Sequence, residues 1–184
     1  AIRFLIMVAA VVFLAWLIIT FALKKVSVIG SSMETTLYNG EDVIVNKTSY
    51  VLFSPKRNQI IAFYPEAQDE EETTNSDSMI HIRRVAGLPG EKVQIKNGKL
   101  YINGEEQKEK YDFEAMHSGG RAVNEITLKD DEYFVLSDSR NDMDDSRNSS
   151  FTKVMKKNII GKVILRLDPF SLIGGPTAED KKTE

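Results

Sequence analysis

From Phe4 to Leu23 the chain runs twenty residues without a charged side chain. As a helix rising about 1.5 Å per residue, that length covers ~30 Å, the depth of a bilayer's hydrocarbon core. Within that core every backbone group must find its partner inside the segment, so a helix is the form predicted. A cleaved signal peptide is the competing reading, since Thr20-Phe21-Ala22 faintly resembles a small-x-small cleavage site. The run, however, exceeds the apolar core of about 7–15 residues usual for such peptides. Residues 1–25 are therefore predicted to be a transmembrane anchor, 26–175 a single β domain, and the Lys/Glu-rich residues 176–184 a disordered tail.

Past the anchor the patterning changes to short strands. Asp42–Asn46, Gln59–Tyr64, Met79–Val85, Glu132–Leu136 and Ile159–Leu167 are β-branched or aromatic runs bounded by polar or proline-containing turns. Glu91–Lys96 and Lys99–Ile102 alternate on either side of Asn97-Gly98, the strongest short-range hairpin signal. With no amphipathic helix after residue 25, the fold class predicted is mainly β: one N-terminal transmembrane helix followed by antiparallel sheets. Tyr50–Phe53 is an apolar run predicted to join the core rather than dip into the membrane surface. The acidic stretch between Pro65 and Ser78 reads as a solvated loop, and 105–131 as a polar insertion with no catalytic part.

Several classes of function fall away on composition. A net charge of −3 argues against a nucleic-acid partner. The chain has no cysteine, so neither a disulfide framework nor a thiolate metal site is available. Asp138, Asp142, Asp144 and Asp145 are spaced somewhat like a calcium loop, but the glycine such a loop needs at its sixth position is missing and Arg140 stands at its third. No metal and no cofactor are expected.

Three blocks carry the chemistry. Gly30-Ser31-Ser32-Met33 lies just beyond the anchor; His81-Ile82-Arg83-Arg84-Val85-Ala86-Gly87-Leu88-Pro89-Gly90 follows; Ser137-Asp138-Ser139-Arg140 through Asp145-Ser146-Arg147 is third. In this order and behind an anchor, they resemble the bacterial type I signal peptidases, membrane serine endopeptidases of the Ser-Lys kind. The resemblance implies that Ser32 is the nucleophile, with its backbone N–H in the oxyanion hole. It implies that Val28, Met33, Leu37 and Ile82 line shallow apolar substrate pockets, and that Asp138, Arg140, Asp145 and Arg147 brace the site through ion pairs. It also places the β domain on the extracytoplasmic face of the cell membrane, against a simple positive-inside count, since Lys24 and Lys25 follow the anchor and only Arg3 precedes it.

The departures fall at the chemistry. Arg83 stands at the position of the family's general-base lysine. A lysine must drop about 3 pKa units to act as a base near neutrality, whereas an arginine must drop about 5–6, beyond what a protein supplies. Met143 falls where many members have a serine that orients the lysine, and Thr35 where they have a proline. His81, with an ordinary pKa near 6.5, is the alternative base, although a two-residue step displaces it ~6.6 Å along a strand.

Two functions follow. One is an active signal peptidase using Ser32 and a non-lysine base such as His81. The other, favoured on sequence grounds, is a catalytically impaired form that binds extended segments of exported surface proteins. In that form its partners are signal peptides, membrane lipid and, in pilus assembly, sortase or pilin components.

Overall fold

In the computed structural model, residues 2–64, 80–151 and 153–173 are described. The expected loop between Pro65 and Ser78 and the expected tail at 176–184 lie outside them. The anchor is helix α1, Ile2–Ala22. It is long and apolar enough to cross a membrane, and its described large apolar side chains, such as Phe4, Met7, Phe13 and Phe21, are exposed, as contact with lipid requires.

Leu23 does not belong to the helix. The chain passes directly into strand β1, Leu23–Ser27, which pairs antiparallel with β2, Asp42–Asn46, from Leu23↔Asn46 to Ser27↔Asp42. This strand went unpredicted because its two lysines interrupt the apolar pattern. Both are occupied within the fold: Lys24 Nζ donates to the Tyr64 hydroxyl at 3.2 Å, and Lys25 pairs with Asp42 at 2.7 Å. The charges that seemed to oppose an external domain thus serve the edge of the sheet.

The remaining strands are β3 (Ile60–Phe63), β4 (His81–Gly87), β5 (Lys92–Lys96), β6 (Lys99–Ile102), β7 (Glu105–Glu106), β8 (Ile126–Thr127), β9 (Glu132–Leu136), β10 (Val154–Met155), β11 (Ile159–Arg166) and β12 (Ser171–Leu172). One sheet has the order β1-β2-β11-β3-β4-β9-β10 with β12 on β11; the second runs β7-β6-β5-β8. Every described pairing is antiparallel, as the mainly β reading expected. Asn97 (φ 50°) and Gly98 (φ 76°) make the predicted two-residue hairpin. Asn103 (φ 53°) and Gly104 (φ 84°) repeat that turn and launch β7, where the sequence promised only the end of a strand.

Strand β4 has neighbours on both sides, β3 and β9, and is buried on both faces. Ile82 enters a core with Val28, Met33, Leu37, Val45 and Ile60; Val85 enters another with Ile61, Phe63, Tyr133 and Val135. Close packing of β11 on β2 requires Gly161, since a Cβ there would stand 2.2 Å from the Asn46 carbonyl oxygen.

The run Tyr50–Phe53 is not core. Tyr50 closes a 3₁₀ turn over Lys47–Tyr50 and packs inward, but Val51, Leu52 and Phe53 are 73%, 85% and 69% exposed. With Tyr50 fixed on one side and Pro55 buried on the other, the three residues between are held outward.

Candidate active site

The loop carrying Ser32 is closed at its base by two backbone bonds: Val28 N–H donates to Glu41 O at 2.8 Å and Gly40 N–H to Val28 O at 2.9 Å. Within it, Gly30 takes a positive φ of 85°, and its N–H donates to Asn39 Oδ1 at 2.9 Å. After Ser32 the chain coils tightly, with the N–H groups of Thr36 and Leu37 both donating to Met33 O at 3.1 and 2.8 Å. Met33 and Leu37 then drop into the first core beside Val28 and Ile82. Apolar burial therefore fastens the loop to β4, and the four residues expected to line substrate pockets are brought into one cluster.

Thr35, at φ 85°, is the strained point of this coil. A β-branched residue there is an outlier, and a proline, with φ held near −65°, is excluded from the conformation.

Ser32 itself is 5% exposed. Its carbonyl accepts from Ser139 N–H at 3.0 Å, which ties the first block to the third. Among the described residues, no side chain hydrogen-bonds its hydroxyl.

Arg83 and Arg84 are neighbours on β4 with different work. Arg84 forks onto Asp138, Nε to Oδ1 at 2.8 Å and Nη2 to Oδ2 at 2.7 Å, and the pair is almost wholly buried. The same Asp138 Oδ2 accepts from the Thr36 hydroxyl at 2.6 Å, so this bridge reaches the serine loop. Arg83 instead turns to the end of the third block: Nε donates to Asp144 O at 2.6 Å, Nη1 to Ile82 O at 2.6 Å, and Nη2 to the Asp144 carboxylate. Burial lowers its pKa from the usual arginine value, while Asp144, Asp145 and Asp142 push the other way. All three of its nitrogens act as donors, which is the arrangement of a fixed cation.

His81 is stacked on Phe63 (centroids 5.8 Å apart) and meets the edge of Phe151 at 5.6 Å. Burial first, and Arg83 second, lower its pKa below the usual 6.5, with Asp144 opposing. Like Arg83, it makes no hydrogen bond to Ser32 among the described residues.

The third block is densely bonded among the described residues. Asp145 accepts from the Ser137 N–H at 3.0 Å and from the Arg147 N–H and Nε, both at 2.9 Å. Arg147 also donates to Arg140 O at 2.7 Å and Asp142 O at 2.8 Å. Arg140 forks onto Glu109, and the Phe113 ring lies 3.9 Å from its guanidinium carbon. Tyr111 covers Arg84 at 4.5 Å. Glu109, Tyr111 and Phe113 come from the stretch read as a polar insertion with no catalytic part; they brace the arginines beside the site. An acid and two aromatics alternating in an otherwise polar segment were the available signal. Met143 lies against Gly120.

The family profile described as "Signal peptidase, peptidase S26" matches residues 1–167. The chain is 33% identical over 168 residues to a probable signal peptidase I-2 of Synechocystis sp., covering 91% of this chain and 73% of that one. It is 35% identical over 171 residues to signal peptidase I of Bacillus amyloliquefaciens, covering 88% and 85%. A crystal structure of a signal peptidase I from Enterococcus faecalis V583 aligns with a TM-score of 0.44 at 29% identity, covering 59% of this chain and 96% of that one. The chain belongs to the signal peptidase family, peptidase S26. Among the described residues one helix is long and apolar enough to cross a membrane, and the β-sheet region that follows it lies on the extracytoplasmic face.

Proposed function

We propose that the chain is a signal peptidase I that acts on signal peptides as they emerge from the membrane, with Ser32 as nucleophile. The single observation that carries this reading is the treatment of Ser32. Its backbone is pinned by Ser139 N–H and by the burial of Met33, while its hydroxyl is left uncommitted. In this reading Ser32 Oγ attacks the peptide carbonyl, its N–H steadies the oxyanion, and the amine of the mature protein leaves. Water then releases the acyl group from Oγ. Arg83, at the family's lysine position, is a fixed charge and takes no proton; in this reading His81 is the alternative base that takes the Oγ proton and returns it to the leaving amine. Substrate pockets lie over Val28, Met33, Leu37 and Ile82, while Asp138, Arg140, Asp145 and Arg147 hold the frame.

A second reading is favoured by the commitment of Arg83 to Asp144 and of His81 to its two phenylalanines. In it the chain holds an extended segment by strand addition without cutting, as an accessory in surface-protein or pilus assembly with sortase or pilin partners. One experiment separates the two. Purified full-length protein is given a preprotein beside an active signal peptidase. Cleavage lost in Ser32→Ala supports the first reading; capture of the preprotein with no cleavage removes it in favour of the second.

A further inference from the structure

We propose that residues 109–113 form a positioning strap for Ser32, setting through two arginines at once how firmly the serine loop is held. The side chains of this segment alternate. Glu109, Tyr111 and Phe113 are half-buried, while Lys108, Lys110, Asp112 and Glu114 are exposed, so every second residue is turned onto the domain. Both ends are tied to one hairpin, Gln107 N–H donating to Leu100 O at 2.9 Å and Met116 N–H to Gly98 O at 3.2 Å. Asn141 Nδ2 donates to the Glu114 carboxylate at 3.1 Å and adds a tie to the third block.

Each inward side chain meets an arginine. Glu109 accepts from both Nη1 and Nη2 of Arg140. The Phe113 ring covers that guanidinium at 3.9 Å and reaches the Arg84 guanidinium at 5.5 Å, while Tyr111 covers Arg84 at 4.5 Å. The two rings meet edge-on with centroids 5.8 Å apart, so they act as one cover. From these arginines two routes lead to Ser32. Arg84 holds Asp138, whose carboxylate accepts from the Thr36 hydroxyl in the serine loop. Arg140 donates Nε to Ser137 O at 3.2 Å, and it directly follows Ser139, whose N–H holds the Ser32 carbonyl. Both cations are buried. Ring faces and a carboxylate favour a desolvated guanidinium, and removing them lets water in and frees the side chain to move. The strap therefore bears on a side-chain tie and a backbone tie of the same loop.

The chain has no cysteine, so Ser32→Cys gives the full-length protein a single thiol. Its alkylation by iodoacetamide reports how firmly the loop is held and needs no substrate. Val45→Cys, in the same core but on β2, is the control for general loosening. Y111L/F113L is expected to speed alkylation at position 32 about tenfold, the scale of two lost cation–π faces, and to leave position 45 unchanged. E109Q, which takes the charge from Arg140, moves position 32 in the same direction. Y111F, which keeps both rings, stays at the parent rate. An unchanged rate at position 32 in Y111L/F113L, or equal acceleration at 32 and 45, overturns the proposal. With Ser32 intact, the effect on rate rests on the peptidase reading: kcat falls in Y111L/F113L while KM holds, and a kcat equal to the parent's overturns the strap as well. A parent that does not cleave counts against that reading alone, since the thiol measurement does not depend on cleavage.

Discussion

Two adjacent arginines on β4 divide the site between them. Arg84 and Asp138 are sealed from water, and their bridge extends through Thr36 to the loop that presents Ser32. Arg83 is equally buried, yet its carboxylate partner, Asp144, has 54% of its side chain exposed, and its other bonds go to the Asp144 and Ile82 carbonyls. One pair braces the loop that carries Ser32, the proposed nucleophile; the other holds a cation at the position where the proposed reaction would need a proton acceptor. The scaffold and the proton-transfer apparatus can therefore be altered separately, and the largest expected effects come from doing so.

Replacing Arg83 by lysine is expected to do little alone. An ammonium beside the Asp144 carboxylate is stabilised in its charged form, which raises its pKa away from the range a base requires. In R83K/D144N the largest part of that stabilisation is gone, only Asp145 and Asp142 remaining to favour the charge, and burial works in the useful direction. A positioned general base contributes about 10²–10⁴-fold, and an increase of that order is expected for the double variant over R83K, with a further rise when Met143→Ser offers the amine a partner. Preprotein cleavage by the parent, R83K and R83K/D144N reads this directly; equal rates in all three would show that Asp144 does not govern position 83.

The Arg84 side of the comparison predicts a loss of stability. Asp138→Ala strands a buried guanidinium and frees Thr36, at a cost of about 3–5 kcal/mol. For a domain of this size that is a drop in Tm of roughly 2–4 °C per kcal/mol. Asp144→Asn keeps an acceptor for Arg83 in a wetter place and is expected to cost less. Equal melting temperatures for the two variants would erase the distinction between the arginines. Smaller again is Thr35→Gly, which relieves a positive φ but loosens the unfolded chain, for a net gain of about 1 kcal/mol. A lowered Tm in that variant would mean that the Thr35 side chain supports the loop more than its backbone strains it.

What was legible in the sequence was whatever rested on local pattern. The anchor, the Asn97-Gly98 hairpin, and strands such as Asp42–Asn46 and Glu132–Leu136 follow from hydrophobic period and turn chemistry within a few residues. The three ordered blocks gave the family. Contacts between distant residues did not follow. Nothing in Lys24-Lys25 announces a strand, because its pairing with β2 is decided by the partner. Asp144 attracted attention only as part of a calcium-like spacing, though it sits 61 positions from the arginine it holds. The strap at Glu109, Tyr111 and Phe113 was hidden for the same reason. Val51-Leu52-Phe53 shows the opposite error: apolar composition alone suggested core, and the fixed roots of the loop decided otherwise.

The smallest effect expected concerns His81, and it tests the neutral side of the Arg83 environment. Burial and the Arg83 charge depress the folded-state pKa of His81 below the 6.5 of the unfolded chain. Between the two values the unfolded state binds the extra proton, so stability falls as pH drops through that window and is unaffected above it. Asp144, the one acidic group opposing this, narrows the window without reversing its sign. His81→Phe keeps an aromatic ring between Phe63 and Phe151 while removing the titration. The parent should therefore lose Tm faster than H81F as pH falls below 6.5, with parallel behaviour above it. A parent that instead gains stability relative to H81F on acidification would mean that Asp144 dominates and the imidazole is held charged, a form unable to accept a proton from Ser32.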